Sequence, residues 1–211
     1  AHRVRSGLVS IALILLPAVG NAAPGENTRV SLGEASLPSI TNGGSSTTSG
    51  GSLATQAATL VFSSDASTLV SDDTNGHADI FIYHPGSGLY RISLGIGGAE
   101  ANGPSSDPRV SHRVLGDQAV AGADGRFVAY TSAASNLVPA DTNGVDDVFL
   151  FDEASRTTTL VSRATGADGV IGNGPSSRAA PSHYGRFVVF QSAASNLVPG
   201  DTNGVPDIFL R

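Results

Sequence analysis

Apolar residues along this chain come in short runs separated by turn residues. The runs at 126–131, 147–151 and 157–162 are five or six residues long and rich in Val, Phe, Thr and Ile or Leu. Each is bounded by Gly, Asn, Asp or Pro, which interrupt a strand and permit a turn. Asn-Gly pairs fall between two such runs, the mark of a chain reversal between strands. Helix formers are scarce, and the pattern predicts an all-β chain.

The same segment recurs along the chain. Gly125 to Pro139 reads Gly-Arg-Phe-Val-Ala-Tyr-Thr-Ser-Ala-Ala-Ser-Asn-Leu-Val-Pro and returns 60 residues later, with few changes, as Gly185 to Pro199. Each copy runs on into Asp-Thr-Asn-Gly, at 141–144 and 201–204, and then into Asp-Val/Ile-Phe-Leu at 147–150 and 207–210. A more divergent copy lies upstream, with Leu60-Val61-Phe62, Asp73 to Gly76 and Asp79 to Ile82. The step from the aromatic residue to the first Asp is eleven residues in all three. Self-similarity at such a period is the sequence mark of a repeat architecture.

Each unit is expected to hold four strands. Strand a follows an Asn-Gly-Pro/Gly-Ser-Ser element at Asn42, Asn102 or Asn173, b falls at Arg-Phe-Val, c at Asp-Ile/Val-Phe and d at Thr-Leu-Val-Ser. Four antiparallel strands per repeat, joined by short turns, predict β-propeller blades. The repeats occupy 60–211, in units of about 42–101, 102–172 and 173–211. Residues 24–59 read as an N-terminal strand followed by a Gly/Ser/Thr-rich linker, the strand Thr28-Arg29-Val30-Ser31-Leu32 matching Tyr90-Arg91-Ile92-Ser93-Leu94. That makes about three blades, too few for a ring of four to eight. The expectation is a partial or fragmentary propeller, or a homodimer that closes a six-blade ring.

Arg3 and Arg5 precede an apolar run at 8–19 that ends in Gly20-Asn21-Ala22-Ala23. A charged start, a short apolar stretch and a small-residue exit predict a signal peptide over 1–23, and hence a secreted or periplasmic protein. The run is shorter than the ~20 residues that cross a bilayer, so no stable membrane span is expected. Cys is absent, so packing alone must hold an exported fold, and thiolate metal sites are excluded. The 12 basic residues are all Arg, scattered along a chain of net charge −6. That balance argues against a nucleic-acid partner, which needs a basic patch. Without Lys, Schiff-base catalysis is excluded too.

The Asp-Thr-Asn-Gly-x-x-Asp turns are the first candidate for chemistry, because three oxygen-bearing side chains around a Gly resemble part of a calcium loop. The candidate calcium ligands are Asp73, Asn75 and Asp79, then Asp141, Asn143 and Asp147, then Asp201, Asn203 and Asp207. The first position of a full calcium loop is taken by Ser71, Pro139 or Pro199. The competing reading is a turn in which the Asp side chains accept backbone N–H groups and Asn-Gly takes the left-handed conformation. For a hydrolase, the four Glu offer little: Glu26 and Glu34 lie in or beside the polar N-terminal segment, and Glu100 and Glu153 in loops. No unit is seen to break the repeat with an unusual acid. The clear asymmetry is an insertion at 112–123, with His112, Arg113 and Asp117 and with Asp124 beside it. The five His are isolated, and no Gly-x-Ser-x-Gly element is present, so neither a zinc site nor a serine nucleophile is supported.

Units of the form Gly-Arg-Phe-Val-Ala-Tyr, Ser-Asn-Leu-Val-Pro and Asp-Thr-Asn-Gly-x-x-Asp-Ile/Val-Phe resemble the WD40-like β-propeller repeat of TolB-type bacterial proteins. The resemblance covers about residues 28–211 and implies a periplasmic or secreted propeller that binds other macromolecules. A long polar linker stands here in place of the α/β domain that precedes the propeller in TolB. The expected role is a non-catalytic scaffold for a protein or glycan partner. The alternatives are a hydrolase of glycosidase or lactonase type, with its catalytic residues in further blades, and a calcium-stabilised structural repeat.

Overall fold

The computed structural model describes residues 43–46, 53–54, 59–85, 87–112, 125–139, 141–166 and 169–211. The expected signal peptide, the strand at 28–32, most of the Gly/Ser/Thr-rich segment and the insertion from Arg113 onward lie outside the described residues. Within them the chain is all-β, with one 3-10 turn at Ile96–Gly98.

Three antiparallel sheets follow one another along the chain. In the first, β1 (Ser45–Ser46) and β2 (Leu53–Ala54) share one edge of β3 (Thr59–Ser64), which continues to β4 (Asp79–His84) and β5 (Gly88–Arg91). The second runs β6 (Ser105–Val110), β7 (Phe127–Ser132), β8 (Asp147–Asp152), β9 (Thr157–Leu160). The third runs β10 (Ser176–Pro181), β11 (Val188–Ser192), β12 (Asp207–Leu210). None of the three sheets closes on itself.

The registers correspond. Ser64, Ser132 and Ser192 pair opposite Asp79, Asp147 and Asp207. Two residues further on, Phe62 meets Phe81, Tyr130 meets Phe149 and Phe190 meets Phe209, their rings stacked at 5.6, 5.8 and 5.7 Å. Stacked cross-strand rings contribute beyond the area they bury.

The second sheet lies between the other two. One of its faces, with Val128, Tyr130, Phe149, Phe151 and Leu160, joins Val61, Ile80, Ile82 and Ile92 of the first sheet in one buried cluster. The other face sets Ala129 and Val148 against Ala179, Val188 and Phe190 of the third. Burial on both sides explains why β4 and β8 read as near-continuous apolar runs rather than as alternating strands. The first strand of a sheet makes the junction each time: β6 packs on β3 and β4, β10 packs on β7 and β8, and β10 also reaches β6. Both β6 and β10 carry a bulge at the same place, where Asp107 and Arg178 adopt positive φ of 51° and 55°.

The antiparallel order sends the β3–β4, β7–β8 and β11–β12 connections to one end, together with the segments that lead from one sheet to the next. The hairpins β4–β5 and β8–β9 emerge at the opposite end.

Candidate functional site

The Asp-Thr-Asn-Gly turns share one construction. Gly76, Gly144 and Gly204 sit at φ of 70°, 69° and 68°, a left-handed conformation that glycine adopts without steric cost. Just before them, Asn75, Asn143 and Asn203 accept the backbone N–H two residues on with Oδ1, the local turn that Asn favours. Their Nδ2 groups donate to Asp79, Asp147 and Asp207 at 3.1, 2.6 and 2.7 Å. Asn75 and Asn143 donate also to the carbonyls of Ala101 and Gly172, tying each turn to the segment that leads into the next sheet.

In the first two motifs the last residue is further anchored by a serine. The Ser93 hydroxyl donates to Asp79 Oδ1 and accepts the N–H of Ile80. Ser162 does the same for Asp147 at 2.5 Å and for Val148 at 3.0 Å. Thus Asn75 is brought to Asp79 and Asn143 to Asp147, and the donors that reach Asp147 are amide and hydroxyl groups of the chain itself, while Asp79 has a guanidinium besides. Asp207 and Asn203 form the same pair in a more exposed position. Among the described residues, no group of three or more His, Asp or Glu is arranged to hold a metal ion.

The first sheet adds a cation that the second does not have. Arg91, buried at the end of β5, places Nη1 3.3 Å from Asp73, 3.1 Å from Asp79 and 3.2 Å from Glu100, while Nη2 donates to the Asp72 carbonyl at 2.9 Å. Glu100 in turn accepts the Thr74 N–H and hydroxyl, both at 2.6 Å, and the Asn75 N–H at 3.2 Å. Those Thr74 bonds, with Arg91 beside them, hold the Glu100 carboxyl down at about 2. Burial, with Asp79 close by, pushes Asp73 up to about 6 against the pull of Arg91. Its Oδ2 is buried without a hydrogen-bond partner.

The corresponding residues of the second sheet are apolar. Arg91 pairs with Phe81 and Leu160 with Phe149, so Leu160 stands where Arg91 stands. The isolated bridges Leu94 to Glu100 and Arg163 to Ile171 put Ile171 in the place of Glu100. Without a cation, burial raises Asp141, and raises Asp147 to about 6. The expectation that no unit breaks the repeat with an unusual acid is therefore corrected: Glu100 does so, paired with Arg91. The signal was visible in the match of Tyr90-Arg91-Ile92-Ser93 with Thr159-Leu160-Val161-Ser162.

A second cluster joins the first two sheets at their hairpin end. Glu153 Oε1 accepts a hydrogen bond from the Tyr90 hydroxyl and lies 2.7 Å from His84 Nε2, whose other ring nitrogen is 3.3 Å from the Thr59 hydroxyl. Burial, together with the Glu153 bond, pushes the Tyr90 hydroxyl well above its usual range. Arg156 stacks its guanidinium 4.2 Å over the Tyr90 ring. It does so from a left-handed backbone, φ 56°, which costs a non-glycine residue of order 1 kcal/mol. Arg156 and Thr158 also line a cleft of about 300 Å³ with Ile92, Leu94, Ile96, Leu137 and Phe151. Sequence reasoning placed Glu153 in a loop and missed this cluster, because nothing local links it to His84 and Tyr90.

Glu100 and Glu153 lie at opposite ends of β4, near Asp79 and His84. Five residues of strand put them roughly 17 Å apart, beyond the spacing of up to about 9.5 Å that paired glycosidase carboxylates use. Glu26 and Glu34 lie outside the described residues, as does the insertion beyond His112. His183 packs edge-on against Tyr184, 4.3 Å between ring centres.

These features define an all-β chain of three packed antiparallel sheets, with polar turns anchored at one end and a cleft between the first two sheets. No family model matches the chain, and no curated protein matches it either. Among the described residues no helix is long and apolar enough to cross a membrane.

Proposed function

We propose that the chain is an exported array of β-propeller blades serving as a non-catalytic scaffold for a protein or glycan partner. The observation that carries this reading is the way the sheets stack. The first strands of the second and third sheets, β6 and β10, lie on the middle strands of the sheet before, and these two strands approach one another. Successive blades around a propeller axis pack in this way. The recurrent Asp, Asn and Ser residues support the scaffold role, because they are consumed in anchoring turns. The partner's place is the cleft between the first two sheets. Arg156 offers a guanidinium there beside apolar walls, the usual make-up of a binding cleft.

The test is a panel of polysaccharides and peptides screened by thermal shift, each hit followed by an assay for cleavage products. A ligand is expected to raise the melting temperature and to survive unchanged. Arg156→Gly, which keeps the left-handed backbone and removes the guanidinium, is expected to weaken binding at least tenfold. Turnover of any glycan or lactone in the panel would overturn the scaffold reading.

A further inference from the structure

We infer that the cleft between the first two sheets recognises a carboxylate borne beside an apolar group, and that its occupant is the C-terminal apolar residue of a protein partner. The inference rests on the scaffold reading, which puts a partner there, and names the chemistry that holds it.

The apolar walls of the cleft are Ile92, Leu94 and Ile96 on the side of the first sheet, and Leu137 and Phe151 on the side of the second. Among the described residues that line it, the charged ones are Arg91 and Arg156, and no carboxylate lines it. In a chain with 18 acidic residues and a net charge of −6, that reverses the overall balance. A volume of about 300 Å³ stands at the low end for a ligand pocket. It suits one side chain and one polar group rather than a length of extended chain.

The two cations differ in what they leave for a ligand. Arg91 is buried and outnumbered, with Asp73, Asp79 and Glu100 3.3, 3.1 and 3.2 Å from Nη1 and Asp72 3.6 Å from Nη2. It brings no surplus charge. Its Nε, however, is buried without a hydrogen-bond partner, and a buried donor left over in this way calls for an acceptor. Arg156 is the opposite case. The acids next to it in the chain are committed elsewhere, Asp152 to Arg126 and Glu153 to Tyr90 and His84. Arg156 itself forms no ion pair among the described residues and lies over the Tyr90 ring. It is held there from its left-handed backbone, strain of the kind that persists at ligand clamps.

A single uncommitted guanidinium, with carboxylates gathered behind the second one, selects a monoanion. A planar carboxylate matches its fork of donors. The apolar walls select an aliphatic or aromatic side chain beside that carboxylate. A C-terminal Leu or Phe joins the two, and the carbonyl of its own peptide bond adds a neutral acceptor for the Arg91 Nε. The rim leaves room for the rest of the partner to lead away, since Ile96 is 57% exposed and Arg156 is exposed as well.

The experiment is isothermal calorimetry on the full chain with three probes: pentaglycyl-leucine, its C-terminal amide, and isocaproate, which keeps the carboxylate and the branched chain but has no peptide carbonyl. The free-acid peptide is expected to bind about tenfold more tightly than the amide, the worth of a hydrogen bond to a charged group, and more tightly than isocaproate. Arg156→Gly is expected to bind acid and amide alike. Should that variant lose the parent's far-UV circular dichroism, Arg156→Asn, which tolerates the left-handed conformation, takes its place with the same expectation. Failure of the peptide to bind, equal binding of acid and amide by the parent, an acid preference that survives the loss of Arg156, or isocaproate binding as tightly as the peptide overturns the inference. A neutral glycan bound in the cleft without turnover would leave the scaffold reading standing while this one falls. Cleavage of a bound ligand would do the reverse, so the two readings fail separately.

Discussion

The turn that ends at Asp79 and the turn that ends at Asp147 have the same backbone, the same Asn donor and the same Ser clasp, yet they manage buried charge in opposite ways. Around Asp79 the first sheet sets a guanidinium, Arg91, and completes the arrangement with Glu100. Around Asp147 the second sheet sets Leu160 and Ile171, and the carboxyl responds by holding its proton up to about pH 6. A carboxylate taken out of water needs a counter-charge, hydrogen bonds or a proton. The comparison shows that one loop can be built with either of two of these. It also shows that the geometry of the motif survives the exchange of a salt-bridge network for two aliphatic side chains.

The harshest way to break the comparison is Arg91→Leu, which gives the first sheet the second sheet's residue while leaving Asp72, Asp73, Asp79 and Glu100 in place. Removing one partner of a buried ion network costs about 3–5 kcal/mol, and urea unfolding at pH 7 is expected to show a loss of that order. Arg91→Leu/Glu100→Ile installs the complete pair of the second sheet, Leu160 and Ile171, and is expected to recover a large part of the loss. A double variant no more stable than the single one would mean that the two turns are not interchangeable.

The strand plan was largely legible because it rests on local signals. Apolar runs, Asn-Gly pairs and the eleven-residue step from Phe62, Tyr130 or Phe190 to the Asp all act within one unit. The Asn and Asp of each turn were legible as a pair for the same reason, lying four residues apart. The bulges at Asp107 and Arg178 were not, since neither residue type announces a positive φ. The Arg91 network and the Glu153 cluster join residues 9 to 69 positions apart, and only the packing of one sheet on another brings Glu153 to His84. What departs from the repeat was hidden by attention to what is kept. The apolar face of the third sheet reads like those of the other two, yet Val189, Ile208 and Leu210 stand exposed where Val61, Ile80 and Ile82 are buried.

Acidity provides a finer test. Asp147 sits near 6 in the folded chain, against an ordinary 3.8, so the folded state binds more protons than the unfolded one between those values. Stability is therefore expected to fall as pH rises from 4 to 6, by roughly 3 kcal/mol for a shift of about two pH units. Asp73, raised to a similar value, acts in the same direction. Glu100 and Asp152 act oppositely. Held at about 2 by Thr74 and by Arg126 respectively, they contribute stability above their ordinary values that is lost as pH falls towards 2. Urea midpoints measured from pH 3 to 8 are expected to peak between pH 4 and 5. Asp147→Asn is expected to flatten the descending limb, and a limb that stays unchanged would remove Asp147 from the account.

The smallest expected effect separates the two turns most cleanly. Ser93→Ala and Ser162→Ala delete the same hydroxyl, and each leaves one backbone N–H and one carboxylate oxygen short of a partner in a buried place, at about 1–3 kcal/mol. Asp79 keeps Arg91 after the change, whereas Asp147 keeps only the amide of Asn143. At pH 7 Ser162→Ala should therefore cost about 1 kcal/mol more than Ser93→Ala, because a charge left with one neutral donor loses more than a charge left with a guanidinium. At pH 4 Asp147 is protonated and neutral, and the gap between the two variants should close. Equal costs at both pH values would mean that Arg91 contributes nothing to Asp79 beyond what Ser93 and Asn75 already supply.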